Sequence, residues 1–272
     1  MAAALVLGVW GVVRTGLAQS NAPVPPAPAS QPCRPDLLAP LPVADGESRI
    51  LQRELGAKAE ILETDHFLIA SDAGGDSVRA LAGRLEAVYR AHVRFADDLG
   101  LPVHRPEHKL EVLYFASYST FRAYVSGQGA AAAETVGCYL PQAGRAVFFD
   151  FASYPPVEQL RAQCEQEPGV RGGELRRRLK QRQAMLWLSV VQHEAAHEIQ
   201  LQLGVLPAGE GVPTWLYEGL AMLFEVPFDA ADVALGRANG YRLYEYRRLY
   251  GQDAPAGARW RRLLTDDEAW CG

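Results

Sequence analysis

The chain has 272 residues, 49% of them hydrophobic and 22% charged, with a formal net charge of -5. This is ordinary globular composition, sufficient for one sizeable domain or two small ones, and it excludes a chain disordered throughout. The mild acidity, with no basic domain or stripe, gives no electrostatic footprint for nucleic acid.

Residues 2–13 (AAALVLGVWGVV) form an apolar run too short to span a bilayer comfortably. Thr15-Gly16-Leu17-Ala18 follows, with small residues at 16 and 18 in the manner of a signal-peptidase site. A signal peptide over residues 1–18 is therefore expected, and with it an exported protein, periplasmic or extracellular, with no stable membrane span after cleavage. No Lys or Arg precedes the run and Arg14 comes after it. The positive charge must then come from the amino terminus or from a start further upstream, and an uncleaved anchor or apolar tail is the alternative reading. Residues 19–47 are read as a linker, because prolines at 23, 25, 26, 28, 32, 35, 40 and 42 remove backbone donors and fix φ too often for a helix or an inner strand.

The folded region is expected from residue 48. Ile61 to Ser71 is rich in β-branched and aromatic residues and ends in the turn signal Asp72-Ala-Gly-Gly-Asp76, which reads as a strand. Ser77 to Leu99 carries apolar residues and His92 at a helical period. Leu110 to Ala116 reads as a second strand and Ser117 to Val125 as a short helix. Gly137 to Leu140 and Arg145 to Asp150 read as two strands around the turn at Pro141-Gln-Ala-Gly144. Residues 48–156 thus form an N-terminal α/β lobe whose sheet has to bury a face against something. Pro155-Pro156 opens a helix to Glu167, and Gly172-Gly173 precedes a long helix from Glu174 to Leu203. Its stripe Leu175, Leu179, Leu186 and Val190 continues through His193 and His197, while Arg176, Arg177, Arg178, Lys180 and Arg182 form a solvated face. Gly204 stops that helix, and Pro213 starts another through Phe224. Residues 230–249 can also be helical. Residues 157–272 are accordingly read as a helical catalytic lobe, and the open end at Cys271-Gly272 suits a piece cut from a longer protein.

Cys33, Cys138, Cys164 and Cys271 are widely spaced, with no C-x-x-C pair for a thiolate metal site. Export would allow oxidation in any of three complete pairings. The other reading makes Cys138 a small buried strand residue.

One segment specifies chemistry. In His193-Glu-Ala-Ala-His197, positions i and i+4 of a helix stack on one face, so two imidazoles can converge on one zinc ion. Glu194, beside the first ligand, can act on a metal-activated water without being a ligand itself. A third ligand is needed, and Glu218 in Trp215-Leu-Tyr-Glu-Gly-Leu-Ala221 is the candidate, because two antiparallel helices joined by a loop return it to the histidines. His66, His92, His104 and His108 have no ligand-like partner at helical spacing and read as core-edge or surface residues.

The pair of segments resembles the gluzincin group of zinc metallopeptidases, most closely its secreted bacterial members with a W-x-x-E-G-L-A segment. The resemblance is specific over residues 190–225 and looser over 60–155. It implies His193, His197 and Glu218 as zinc ligands and Glu194 as general base. It also implies an α+β, zincin-like fold: a small mixed-sheet lobe packed on the active-site helix, followed by a mainly helical region. An edge strand of that sheet would pair with an extended peptide or protein substrate, and Arg145 to Asp150 is the expected strand. Gluzincins commonly add a Tyr or His that steadies the oxyanion. No histidine follows His197, so Tyr241, Tyr244 or Tyr246 would serve, or the group is absent. The expected function is a secreted zinc-dependent peptidase. The alternative is a non-catalytic binding module of the bacterial cell envelope with the same shape.

Overall fold

The computed structural model describes residues 36–56, 58–128, 135–207, 211–225, 240 and 242–244. The signal peptide and most of the linker lie outside them, as do Cys33, Cys271, Tyr241, Tyr246 and nearly all of the helix expected over 230–249. The described part is α+β. After helix α1 (Glu47–Leu55) come strands β1 (Glu60–Glu63) and β2 (Phe67–Ser71), helix α2 (Gly75–Leu99), strand β3 (Leu110–Phe115), helix α3 (Tyr118–Gly127), and strands β4 (Cys138–Leu140) and β5 (Arg145–Phe149). The sheet order is β1-β2-β3-β5-β4, with β2, β3 and β5 parallel and both outer strands antiparallel to their neighbours.

Two of the three parallel strands, Phe67–Ser71 and Arg145–Phe149, are buried along their whole length, as strands covered on both faces must be. Phe115 and Phe149 turn to the face under α3, where they meet Phe121, Tyr118 and Tyr124. Phe148 faces the opposite way, close to Val190, with Gly137 between them. Two expectations about the sheet are corrected. Ile61 to Ser71 is a hairpin, because Thr64 folds the chain back: its amide donates to the Phe67 carbonyl at 3.0 Å, and its Oγ1 accepts from the Phe67 amide at 3.0 Å. Arg145 to Asp150 is not the sheet edge. Its apolar run is stable only between two neighbours, so β5 sits inside and the short, half-buried β4 takes the edge.

The end of the expected linker also belongs to the fold. Leu37 and Leu41 are buried, the Leu41 amide donates to Asp65 O at 2.8 Å, and the Lys109 amide donates to Pro42 O at 2.9 Å. Leucines between the prolines supply apolar anchors that the proline spacing hides.

Helices α4 (Pro155–Gln166) and α5 (Gly169–Leu186) form a hairpin, followed without a break by a π-turn (Trp187–Val191) and helix α6 (Gln192–Gln202). The long helix therefore starts at Gly169 and runs through Gly172-Gly173. Gly172 is there for a close approach, since a Cβ on it would stand 1.8 Å from the Glu167 carbonyl oxygen. The π-turn inserts one residue, so the buried stripe passes from Leu186 to Val191, and Val190 stays only partly covered. Gly204 ends the helix with φ 73° and with the His104 ring where a side chain would go. The chain then reverses into α7 (Thr214–Met222). Arg176, Arg177, Arg178 and Lys180 are exposed as expected, whereas Arg182 lies over the Tyr154 ring, 6.0 Å from its centroid. Cys138 and Cys164 are free thiols. No helix among the described residues is long and apolar enough to cross a membrane.

Candidate metal centre

Three helices meet at the site through small residues. Ala91 of α2, Ala196 of α6 and Ala221 of α7 are fully buried against one another, closed off by Phe224. The alanine of the W-x-x-E-G-L-A segment is thus a spacer. Gln192 fastens the same junction: its amide nitrogen donates to the Phe224 carbonyl, and its oxygen accepts from Arg84 at 3.1 Å.

This packing brings together the three residues expected from the sequence as ligands. His193 Nε2 lies 3.0 Å from His197 Nε2 and 3.1 Å from Glu218 Oε2, and His197 Nε2 lies 3.7 Å from Glu218 Oε2. All three side chains are buried, and their ligand atoms fall within 4.8 Å of one another. Around a tetrahedral zinc ion with bonds of about 2.0–2.2 Å, neighbouring ligand atoms stand about 3.3–3.5 Å apart. The observed spacings bracket that value, so the three atoms could hold a metal ion with bonds of that length. Glu194, also buried, is held by a different element: its Oε2 accepts from the Tyr139 amide of the edge strand β4 at 2.9 Å.

The electrostatics separate the roles. Burial alone would lower the His193 pKa, but hydrogen bonds to Glu218 and Glu225 outweigh it and raise it to about 9. Burial, with the nearby His193 charge, brings His197 down to about 4 against the opposing pull of Glu218. One proton is thus held on His193 and the second imidazole is neutral. Burial would raise Glu218, but its contacts with both histidines bring it to about 2. Burial pushes Glu194 up to about 7, with His193 opposing and Glu218 reinforcing the shift.

Two neighbours of the site escaped the sequence reading. Glu225 Oε1 is 2.7 Å from His193 Nδ1, and the same carboxylate accepts from Arg242 Nε at 2.8 Å and Nη2 at 2.6 Å. Glu225 lies three residues beyond the end of α7, so helical spacing from Glu218 gave no signal for it. Tyr217 stacks on His197, with ring centroids 4.0 Å apart and planes 9° from parallel. Glu198, next along α6, is buried with neither carboxyl oxygen hydrogen-bonded, and burial reinforced by Glu111 drives its pKa well up.

The remaining histidines stay outside the cluster. His66 Nδ1 meets Glu86 at 2.7 Å and its ring stacks on Tyr89. His92 stacks on Phe224, and burial lowers its pKa to about 3. His104 and His108 are exposed. Of the tyrosines expected to steady an oxyanion, Tyr244 is 62% exposed, and the other two lie outside the described residues.

No curated protein and no solved structure matches the chain. A model of a family described as "Protein of unknown function (DUF1570)" matches residues 187–271, a segment that begins at the π-turn and takes in His193, Glu194, His197 and Glu218.

Proposed function

We propose that the protein is an exported zinc-dependent peptidase of the gluzincin type, with a zincin-like arrangement of sheet and helix. The observation that carries this reading is the buried His193, His197 and Glu218 cluster, with Glu194 one residue from the first histidine and tied to the sheet edge. A zinc ion held by the three side chains supplies a Lewis acid that lowers the pKa of water and polarises a carbonyl.

The protein's own groups do the rest. Glu194, buried beside the first histidine, would accept a proton from the attacking water and return it to the leaving amine. The Tyr139 amide fixes Oε2 and keeps the other oxygen of Glu194 at a set angle. β4 is an outer strand of the sheet, and the backbone groups along it that Glu194 does not occupy would pair with an extended peptide and lay the scissile bond along the face that holds Glu194. Export rests on the apolar run at residues 2–13.

Metal analysis of the purified protein and of Glu194→Gln, with digestion of a peptide library by both, tests the proposal. One zinc per chain is expected in each, with hydrolysis reduced about 10²–10⁴-fold in the variant. Full activity in Glu194→Gln overturns the mechanism, and a protein that takes up no zinc at neutral pH overturns the site. Zinc without any hydrolysis points instead to a binding module.

A further inference from the structure

A histidine that ligates a metal through one ring nitrogen is normally held in orientation by a hydrogen bond from the other. The two histidines here differ in that respect. His193 has the Glu225 carboxylate 2.7 Å from its Nδ1. His197 Nδ1 is buried and has no hydrogen-bond partner. On the Nδ1 side no polar group among the described residues stops the His197 ring from turning about its Cβ–Cγ bond and carrying Nε2 away from Glu218. What lies against the ring is Tyr217, flat on its face at 4.0 Å and 9°. On another side His193 meets it edge-on, with centroids 4.7 Å apart. A turn of the imidazole would drive its edge into the Tyr217 ring, so the stack restrains the one torsion that the missing hydrogen bond leaves open.

We infer that Tyr217 is the positioning residue of His197: its aromatic ring does by stacking what Glu225 does for His193 by hydrogen bonding, and it thereby sets metal affinity. The inference rests on the metal reading of the site. Tyr217 immediately precedes Glu218, so a single turn of α7 delivers the third ligand together with the clamp on the second. The phenol hydroxyl has no part in the clamp.

The test uses the full chain, stripped with a chelator and titrated with cobalt(II) and with zinc(II). Tyr217→Leu removes the flat ring and is expected to weaken both metals about tenfold and to alter the visible cobalt spectrum, which reports ligand geometry. Tyr217→Phe keeps the ring and is expected to restore wild-type affinity and spectrum. Leu binding with wild-type affinity and spectrum overturns the inference while the metal site stands. Phe binding about tenfold more weakly than the unaltered protein overturns it too, by giving the effect to the hydroxyl, and this comparison stands even if the Leu protein fails to fold. Unaltered protein that binds neither metal overturns the metal reading and this inference with it.

Discussion

Glu225→Gln is the sharpest probe of how the first ligand is held. The carboxylate is fully buried between His193 Nδ1 and the Arg242 guanidinium. Glutamine keeps an acceptor oxygen of equal reach and loses the charge. A hydrogen bond to a charged group contributes about 1.5–3 kcal/mol and a neutral one about 1 kcal/mol, so the difference is on the order of 1.4 kcal/mol, about tenfold in zinc affinity. Proton competition works the other way. In the metal-free protein, burial opposes the His193 proton while Glu218 and Glu225 hold it with a pKa of about 9, and zinc must displace it. Without the Glu225 charge that proton is held less tightly, which partly offsets the loss at pH 7. At pH 9 competition has largely gone and the full loss should show. Competition against a chromophoric chelator at both pH values measures it: the variant should bind more weakly than wild type at pH 9, with a smaller gap at pH 7. Equal affinity at pH 9 would refute the argument that Glu225 orients His193.

Glu218→Gln replaces the strongest acid of the cluster with a poor ligand, and zinc content after dialysis should fall far below one per chain while circular dichroism is retained. In the sheet, burial and a hydrogen bond with Glu47 raise Glu111 to about 7 despite Arg145 at 2.9 Å. The folded state therefore holds this proton more tightly than the unfolded one, so its contribution is full below the ordinary value of 4.5 and is lost as pH rises to about 7. Urea unfolding of metal-free protein should show Glu111→Gln gaining on wild type as pH rises across that window. Gly172→Ala should lower the melting temperature through a clash of about 1–3 kcal/mol with the Glu167 carbonyl, and an unchanged melting curve would contradict the close approach of α4 and α5.

The convergence of His193, His197 and Glu218 was legible where residue type and spacing act together. His193 and His197 needed only the helical repeat, and Glu218 needed a helix stop at Gly204 and a helix start at Pro213. The strands rich in Val and Phe were legible as continuous apolar runs bounded by turn signals, and the helix from Ser77 onward because its buried residues recur at the helical period. What stayed hidden depends on partners distant in sequence. Thr64 turns the chain by bonding Phe67, and a period-two pattern carries no trace of it. The interior place of Arg145 follows from Glu47, Glu54 and Glu111, which surround its guanidinium and permit a cation in a buried strand. Gly172 reads as a breaker in isolation and is a contact point in the fold. Tyr217 looks like one more apolar helix residue until His197 is found beneath it.

The π-turn at Trp187–Val191 has a consequence for how this helix can change. An extra residue in a helical turn rotates everything beyond it by about 100° relative to what came before. Deleting one residue there would turn His193, Glu194 and His197 together by about that angle relative to α5 and take the two histidines out of line with Glu218, with every candidate ligand still present in the sequence.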